Sequence, residues 1–202
     1  MFRWVALAVF LASLSISTQR RWRARRTGGA IPRSQEHPGL IAGRILVALP
    51  LFGGMVAYLA NPNWMAWASL SVPSWAPWIG VALGTLVVPS LYWVLTTLGA
   101  NVSETVFTKQ HHQLVTTGPY RWVRHPLYTA GIALFASIGL MAASWFMLLW
   151  TVVALIALRL VVIPREEAQL VATFGDAYRT YRRGTGALLP LLPNLRVRRG
   201  AG

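Results

Sequence analysis

The 202-residue chain contains no cysteine. That excludes disulfides, thiolate nucleophiles and any metal site built on Cys ligands. Acidic residues are almost as scarce, with five Asp and Glu against nineteen Lys and Arg and a formal charge of +14. Charged residues are 12% of the chain, about half the share in soluble domains. Signatures of soluble enzymes are missing too. There is no His-x-x-x-His or His-Glu-x-x-His for a metal, no Gly-x-Ser-x-Gly elbow and no P-loop. The Gly-x-Gly at Gly184-Thr185-Gly186 follows a helical pattern instead of a strand and lacks a third glycine, which excludes a dinucleotide fingerprint. The excess of arginine does not point to nucleic acid. It flanks apolar runs instead of forming one basic face, and arginine beside membrane spans sets topology or meets anionic headgroups.

What is present is apolar: 55% hydrophobic residues and ten Trp. The expected fold is all-α, a polytopic membrane bundle of about five spans. Residues 2–16 make a short first span, read as retained because it lacks a small-x-small cleavage site. Residues 19–33, opening on Gln19-Arg-Arg-Trp-Arg-Ala-Arg-Arg26 and passing Gly28 and Pro32, read as a basic cytoplasmic loop. Residues 40–60 form a second span holding Arg44 and Pro50, and residues 78–98 a third holding Pro89. The uncharged stretch between them carries Trp64, Trp67 and Trp75, an aromatic belt for the outer interface. Lys109, Arg121 and Arg124 mark a return to the cytoplasm. Residues 127–143 and 144–163 then read as a helical hairpin turned by Ala142-Ala143-Ser144. Residues 1–99 thus supply N-terminal spans, residues 100–190 a core, and residues 191–202 a basic tail with Arg196, Arg198 and Arg199.

Two polar stretches interrupt this pattern, and parity places both on the cytoplasmic side. The first is Leu114-Val-Thr-Thr-Gly-Pro-Tyr-Arg-Trp-Val-Arg-His-Pro-Leu-Tyr128, preceded by His111 and His112. Gly118-Pro119 breaks any helical period there, so a shaped loop leads into a helix starting near Pro126, where unpaired N–H groups can meet a polar ligand. His125 is a candidate ligand-binding residue, against the plainer role of an interfacial hydrogen bonder. The second stretch is Arg165-Glu166-Glu167. Pro164 suits a helix start. Glu167, Leu170, Phe174, Tyr178 and Tyr181 then recur at steps of three and four on one amphipathic face, a cytoplasmic C-terminal helix closed by Arg179, Arg182 and Arg183. The paired carboxylates either complement the helix dipole or await a positively charged ligand. Arg159, among apolar neighbours, either snorkels or holds a substrate carboxylate.

The first stretch, the double Glu, and Phe174-Gly-Asp-Ala-Tyr-x-x-Tyr181 together resemble the isoprenylcysteine carboxyl methyltransferase family, over roughly residues 100 to 190. Phospholipid N-methyltransferases share a version of the pattern. The resemblance implies S-adenosylmethionine held without a Rossmann fold in a cytoplasm-facing pocket. It implies a pocket lined by His112, Gln113, Leu114, Val115, Tyr120, His125, Pro126, Leu127, Tyr128 and Glu166, with Arg159 and Glu167 at the reaction. Where the family places a substrate arginine one turn before the glutamate, this chain has Val162, so Arg159 and Arg165 are the nearest candidates. The implied acceptor is lipidic or small and apolar, a carboxylate first, with a phospholipid amine or a thiol as alternatives. Two other classes stay open. One is an NADPH-dependent reductase of sterol-reductase type, with Arg121, Arg124 and Arg182 for the 2′-phosphate. The other is a non-enzymatic membrane protein.

Overall fold

The computed structural model describes residues 1–28, 38–99 and 114–191. Six α-helices account for most of them: α1 (Phe2–Gly28), α2 (Pro38–Ala60), α3 (Ala76–Leu98), α4 (Pro126–Met141), α5 (Trp145–Ala157) and α6 (Ile163–Gly184). A 3₁₀ turn at Pro62–Ala68 links α2 to α3, another at Gly118–Arg121 precedes α4, and a π-helical segment at Leu158–Val162 joins α5 to α6. Lys109, His111, His112, Gln113, Pro32 and the arginines of the tail lie outside the described residues.

The bundle is organised around the crossing of α3 on α4. Gly80 and Gly84 stand one turn apart on α3 and let the backbones approach. A Cβ added at Gly80 would lie 2.6 Å from the Ser137 carbonyl oxygen and 2.8 Å from the Met141 nitrogen. One added at Gly84 would meet Ser137 Oγ and the Val9 side chain of α1, each at 3.2 Å. Between helices in lipid, where no hydrophobic difference drives association, such small-residue contacts supply the packing energy. The fully buried Ala6, Met55, Ile138 and Met147 fill the adjoining core from α1, α2, α4 and α5.

The far end of the bundle is closed by aromatic edges, including Phe2 on Trp78 at 5.4 Å and Trp67 on Trp145 at 5.6 Å. There the α4–α5 turn is pinned: Leu70 N–H donates to the Ala143 carbonyl at 2.6 Å, and Ser144 caps α5 by accepting from Met147 N–H. Ala143 takes a left-handed φ of 45° to make the turn. Trp64, Trp67 and Trp75 remain exposed at this end, as an interfacial belt requires.

Three expectations are adjusted by the coordinates. The stretch from Gln19 to Arg26 is not a loop, because α1 runs unbroken to Gly28. Gln, Arg and Ala are good helix formers. Arg21 Nε donates to Ser17 Oγ one turn back at 3.1 Å, and the Arg20 guanidinium lies 4.5 Å over the Tyr92 ring. Among the described residues four helices, not five, are long and apolar enough to cross a membrane. The hairpin's first arm, α4, has 16 residues and reaches about 24 Å, short of the ~30 Å hydrocarbon core. Finally, the second arm does not stop at Pro164. Helix α5, the π segment and α6 form one 40-residue rod. A rod of that length exceeds any bilayer core, so its polar half must leave the apolar region. Gly175, at φ 55° and ψ −128°, bends α6 on the way, a conformation open to glycine at little cost.

Candidate functional site

At the end opposite the aromatic closure, all six helices contribute to the wall of a cavity of about 1150 Å³. That exceeds the range of about 300–1,000 Å³ usual for one small molecule. Polar groups gather where α4 and α6 begin. Deeper in, the wall is Phe10, Leu14, Leu51, Phe52, Leu134 and Phe135, closed by an edge contact of Phe52 on Phe135 at 4.9 Å.

The polar end is built from two segments far apart in sequence. Gly118, at φ 57°, and Pro119 turn the chain in front of α4, with Gly118 packed against Thr97 so closely that a Cβ would come within 2.8 Å of Thr97 Oγ1. His125 is then held by its own N–H, which donates to the Ala187 carbonyl at 3.0 Å, while Arg124 N–H donates to the Gly186 carbonyl at 2.8 Å. The segment after α6 therefore runs beside residues 123–125 like a short strand partner. Thr129 Oγ1 extends the seam by donating to the Leu188 carbonyl at 2.7 Å.

The imidazole of His125 stands between the two glutamates. Nδ1 is 3.5 Å from Glu166 Oε2 and Nε2 is 3.4 Å from Glu167 Oε1. Its ring stacks on Tyr128 with centroids 5.7 Å apart. The adjacent acids differ in surroundings. Glu167 is buried and clamped on both oxygens, by Arg124 Nε at 2.8 Å and Arg182 Nε at 3.1 Å. Arg124 also donates to the carbonyls of Arg182 and Thr185. Glu166 faces the cavity, and its Oε2 is buried with no hydrogen-bond partner among the described residues. The hydroxyl of Tyr178, also on the cavity wall, is likewise buried without a partner. An ordinary fold satisfies such groups, so two of them facing one cavity mark a place for a ligand's polar atoms. Tyr181 completes the wall by donating to the Tyr120 carbonyl at 2.6 Å. The Tyr120 phenol is pushed above its ordinary value by burial, reinforced by the nearby charge of Glu166 and by Tyr181, so it stays a neutral donor.

Most residues singled out in the sequence meet here. Leu114, Val115, Tyr120, His125, Leu127, Tyr128 and Glu166 line the cavity. His112 and Gln113 lie outside the described residues. Pro126 is buried at the first turn of α4 and shapes the backbone without lining the wall. Glu167 is turned away from the cavity into its arginine clamp. Arg159 lines a separate, smaller hollow between α4, α5 and residues 186–191, whereas Arg165 lines the main cavity. Six residues apart on one helical rod, the two arginines face different sides. Arg124 and Arg182 are engaged with Glu167, which takes two of the three arginines expected to bind a 2′-phosphate. Two wall residues, Arg21 and Arg44, were not anticipated. The signal for Arg21 lay in Ser13, Ser17 and Arg21, a polar stripe at steps of four in an otherwise apolar helix.

The helical bundle, with four helices long and apolar enough to cross a membrane among the described residues, is of multi-pass membrane type. The family model of phospholipid methyltransferases matches residues 74–177. The chain belongs to the phospholipid methyltransferase family. An uncharacterised protein of Bacillus subtilis, YpbQ, is 26% identical over 134 residues, which cover 64% of this chain and 73% of that protein. The protein-S-isoprenylcysteine O-methyltransferase of Schizosaccharomyces pombe is 36% identical over 104 residues, 47% of this chain and 41% of the enzyme. The methanethiol S-methyltransferase of Mycobacterium tuberculosis is 38% identical over 71 residues, 35% of this chain and 28% of the enzyme. The chain thus spans less than half the length of either named enzyme. Among solved structures, a eukaryotic intramembrane Ras methyltransferase, isoprenylcysteine carboxyl methyltransferase, superposes with a TM-score of 0.52 at 18% identity, covering 95% of this chain and 68% of the other. At that identity the likeness is one of fold.

Proposed function

We propose that the protein is an integral membrane methyltransferase that uses S-adenosylmethionine and acts on a lipidic or small apolar acceptor. The observation that carries this reading is Glu166 Oε2, buried without a hydrogen-bond partner among the described residues and 3.5 Å from His125 Nδ1, at the polar end of a cavity whose other end is hydrocarbon. The residues present fit the donor. Glu166 is an acceptor for ribose hydroxyls or an ammonium group, and the faces of Tyr120, Tyr128 and Tyr178 suit a purine and a cationic sulfur. Bound there, the donor supplies an electrophilic methyl group. The chain's own part is to bind, orient and exclude water. Holding two reactants in register can itself contribute up to about 7–11 kcal/mol, so a dedicated acid or base is not required when the acceptor is already an anion or a free amine. His125 and Tyr120 fix the donor end, and Glu167 acts as a positioning residue by fixing Arg124 and His125.

The cavity's size and two-ended wall support separate entry routes, the donor from water and the acceptor from the bilayer. Helix α2 packs on α5 at the far end, where Gly54 meets Phe146 and Met147. We place the polar end at the cytoplasmic face. Arg21, Arg44, Arg124 and Arg165 cluster there, while among the described residues the opposite end carries Arg3 and exposed tryptophans. The test is isotope transfer from labelled S-adenosylmethionine to a membrane extract. A labelled apolar product, absent with Glu166→Gln, is expected. A protein that binds no S-adenosylmethionine and labels nothing contradicts the proposal.

A further inference from the structure

The smaller hollow beside Arg159 is separate from the reaction cavity. It holds about 740 Å³ between α4, the rod that continues α5, and residues 186–191, a volume within the range that takes one small molecule or chain segment. Its wall is mostly apolar, with Ile132, Ala133, Leu155, Ile156, Leu160 and Leu188. Among the described residues three polar side chains line it, and two of these are occupied within the fold. Arg124 is spent on Glu167 and on the carbonyls of Arg182 and Thr185. Thr129 Oγ1 donates to the Leu188 carbonyl. The third, Arg159, is exposed and has no hydrogen-bond or ion-pair partner among the described residues.

Depth makes this charge costly. Arg159 lies about 21 Å along the rod from Trp145 at the aromatic end, short of the far edge of a ~30 Å hydrocarbon core. Ile156 and Leu160 beside it are exposed, as is Leu189 across the hollow, so this face meets lipid tails. A guanidinium there calls for a counter-charge, and its long stem lets the head rise toward the headgroup level. Among the described residues no carboxylate lines the hollow, and residues 192–202, which follow it in sequence, hold three arginines and no acid. A lipid phosphodiester supplies the missing charge, because its oxygens match the planar fork of a guanidinium. With no carboxylate on the wall to receive the ammonium of a zwitterionic head, a head of net negative charge fits better.

We infer that this hollow binds an anionic phospholipid that is not a reactant, with its phosphate on Arg159 and an acyl chain along Ile132, Ile156 and Leu160. The lipid packs against residues 186–188, whose carbonyls hold Arg124 N–H at 2.8 Å, His125 N–H at 3.0 Å and the Thr129 hydroxyl at 2.7 Å, and so braces the seam in front of α4. The full chain is placed in nanodiscs of phosphatidylcholine and phosphatidylglycerol in equal parts, and in discs of phosphatidylcholine alone. Retained lipid is read by native mass spectrometry, and stability by the thermal midpoint. The parent is expected to keep phosphatidylglycerol in preference to phosphatidylcholine and to melt several degrees higher in the mixed discs. Arg159→Gln should cut that retention about tenfold, the scale of one hydrogen bond to a charged group, and remove the gain in midpoint. Ala133→Phe, which fills the hollow and leaves Arg159 in place, should lower retention likewise. Arg26→Gln, at the exposed basic end of α1, controls for general attraction to an anionic surface and should match the parent. Equal retention of the two lipids by the parent, or a loss with Arg26→Gln as large as with Arg159→Gln, overturns the inference. An equal fall of the Arg159→Gln midpoint in both kinds of disc overturns it too, because a protein segment or a second copy would then be what covers the hollow. No methyl donor or acceptor enters the experiment, so its failure leaves the reaction proposed above untouched.

Discussion

The guanidinium of Arg124 and the carboxylate of Glu167 meet at 2.8 Å although 43 residues separate them. Both side chains are almost fully buried, at 8% and 6% exposure. This contact ties the loop before α4 to the first turn of α6, and so brings His125 and Glu166 to one cavity. Removing one partner of such a pair leaves a buried charge unpaired, at about 3–5 kcal/mol. Glu167→Gln should therefore lower the thermal midpoint by several degrees. The isosteric change next door, Glu166→Gln, should leave the midpoint nearly unmoved and weaken donor binding instead. Scanning calorimetry of the two variants checks the pairing. Equal destabilisation by both would contradict the division of roles.

Tyr181 donates to the Tyr120 carbonyl at 2.6 Å, the second tie between these segments. Tyr181→Phe keeps the ring and leaves a carbonyl unsatisfied, at about 1–3 kcal/mol. Donor affinity should fall several-fold because Tyr120 is no longer held in the wall. Titration calorimetry of that variant is the check, and an affinity equal to the parent's would show that Tyr120 is fixed by other means.

Gly80 carries the α3–α4 crossing. Gly80→Val must push apart two backbones, because the atoms in the way are the Ser137 carbonyl and the Met141 nitrogen. A loss of about 1–3 kcal/mol or more is expected. Gly84→Ala meets mainly the ends of side chains and should be much milder. Denaturation in detergent compares the two, and equal effects would contradict the crossing geometry.

Burial holds the Tyr120 phenol above its ordinary value of 10.0. The folded state thus favours the protonated phenol. Its contribution to stability is full below about pH 10 and is lost as pH rises from there towards the higher folded value. Tyr120→Phe should remove that part of the alkaline slope. Thermal midpoints measured from neutral pH to pH 11 provide the comparison, with an unchanged slope counting against a buried phenol.

The sequence discloses the spans, the hairpin and the meeting of the two polar stretches because each rests on a local signal: apolar length, Gly-Pro punctuation, or a three-and-four step. Leu114, Tyr120, His125, Tyr128 and Glu166 reach one cavity for that reason. What the sequence hides depends on rotation. Arg159 and Arg165 are equally plausible as a string, and only the packing of the helices shows that Arg165 lines the main cavity and Arg159 the smaller hollow. Adjacent glutamates look equivalent until Arg182 and Arg124 claim one of them. The basic run after residue 19 reads as loop by charge and folds as helix by propensity. Gly80 and Gly84 look like ordinary span residues until α4 is seen against them.

Titration of S-adenosylmethionine into the purified protein in a mild detergent, beside Glu166→Gln, tests the donor site most directly. The geometry calls for saturable binding to the parent chain and clearly weaker binding to the variant, with the fold of both intact. Binding that the substitution leaves untouched, or no binding to either protein, would contradict the assignment of this cavity to the methyl donor.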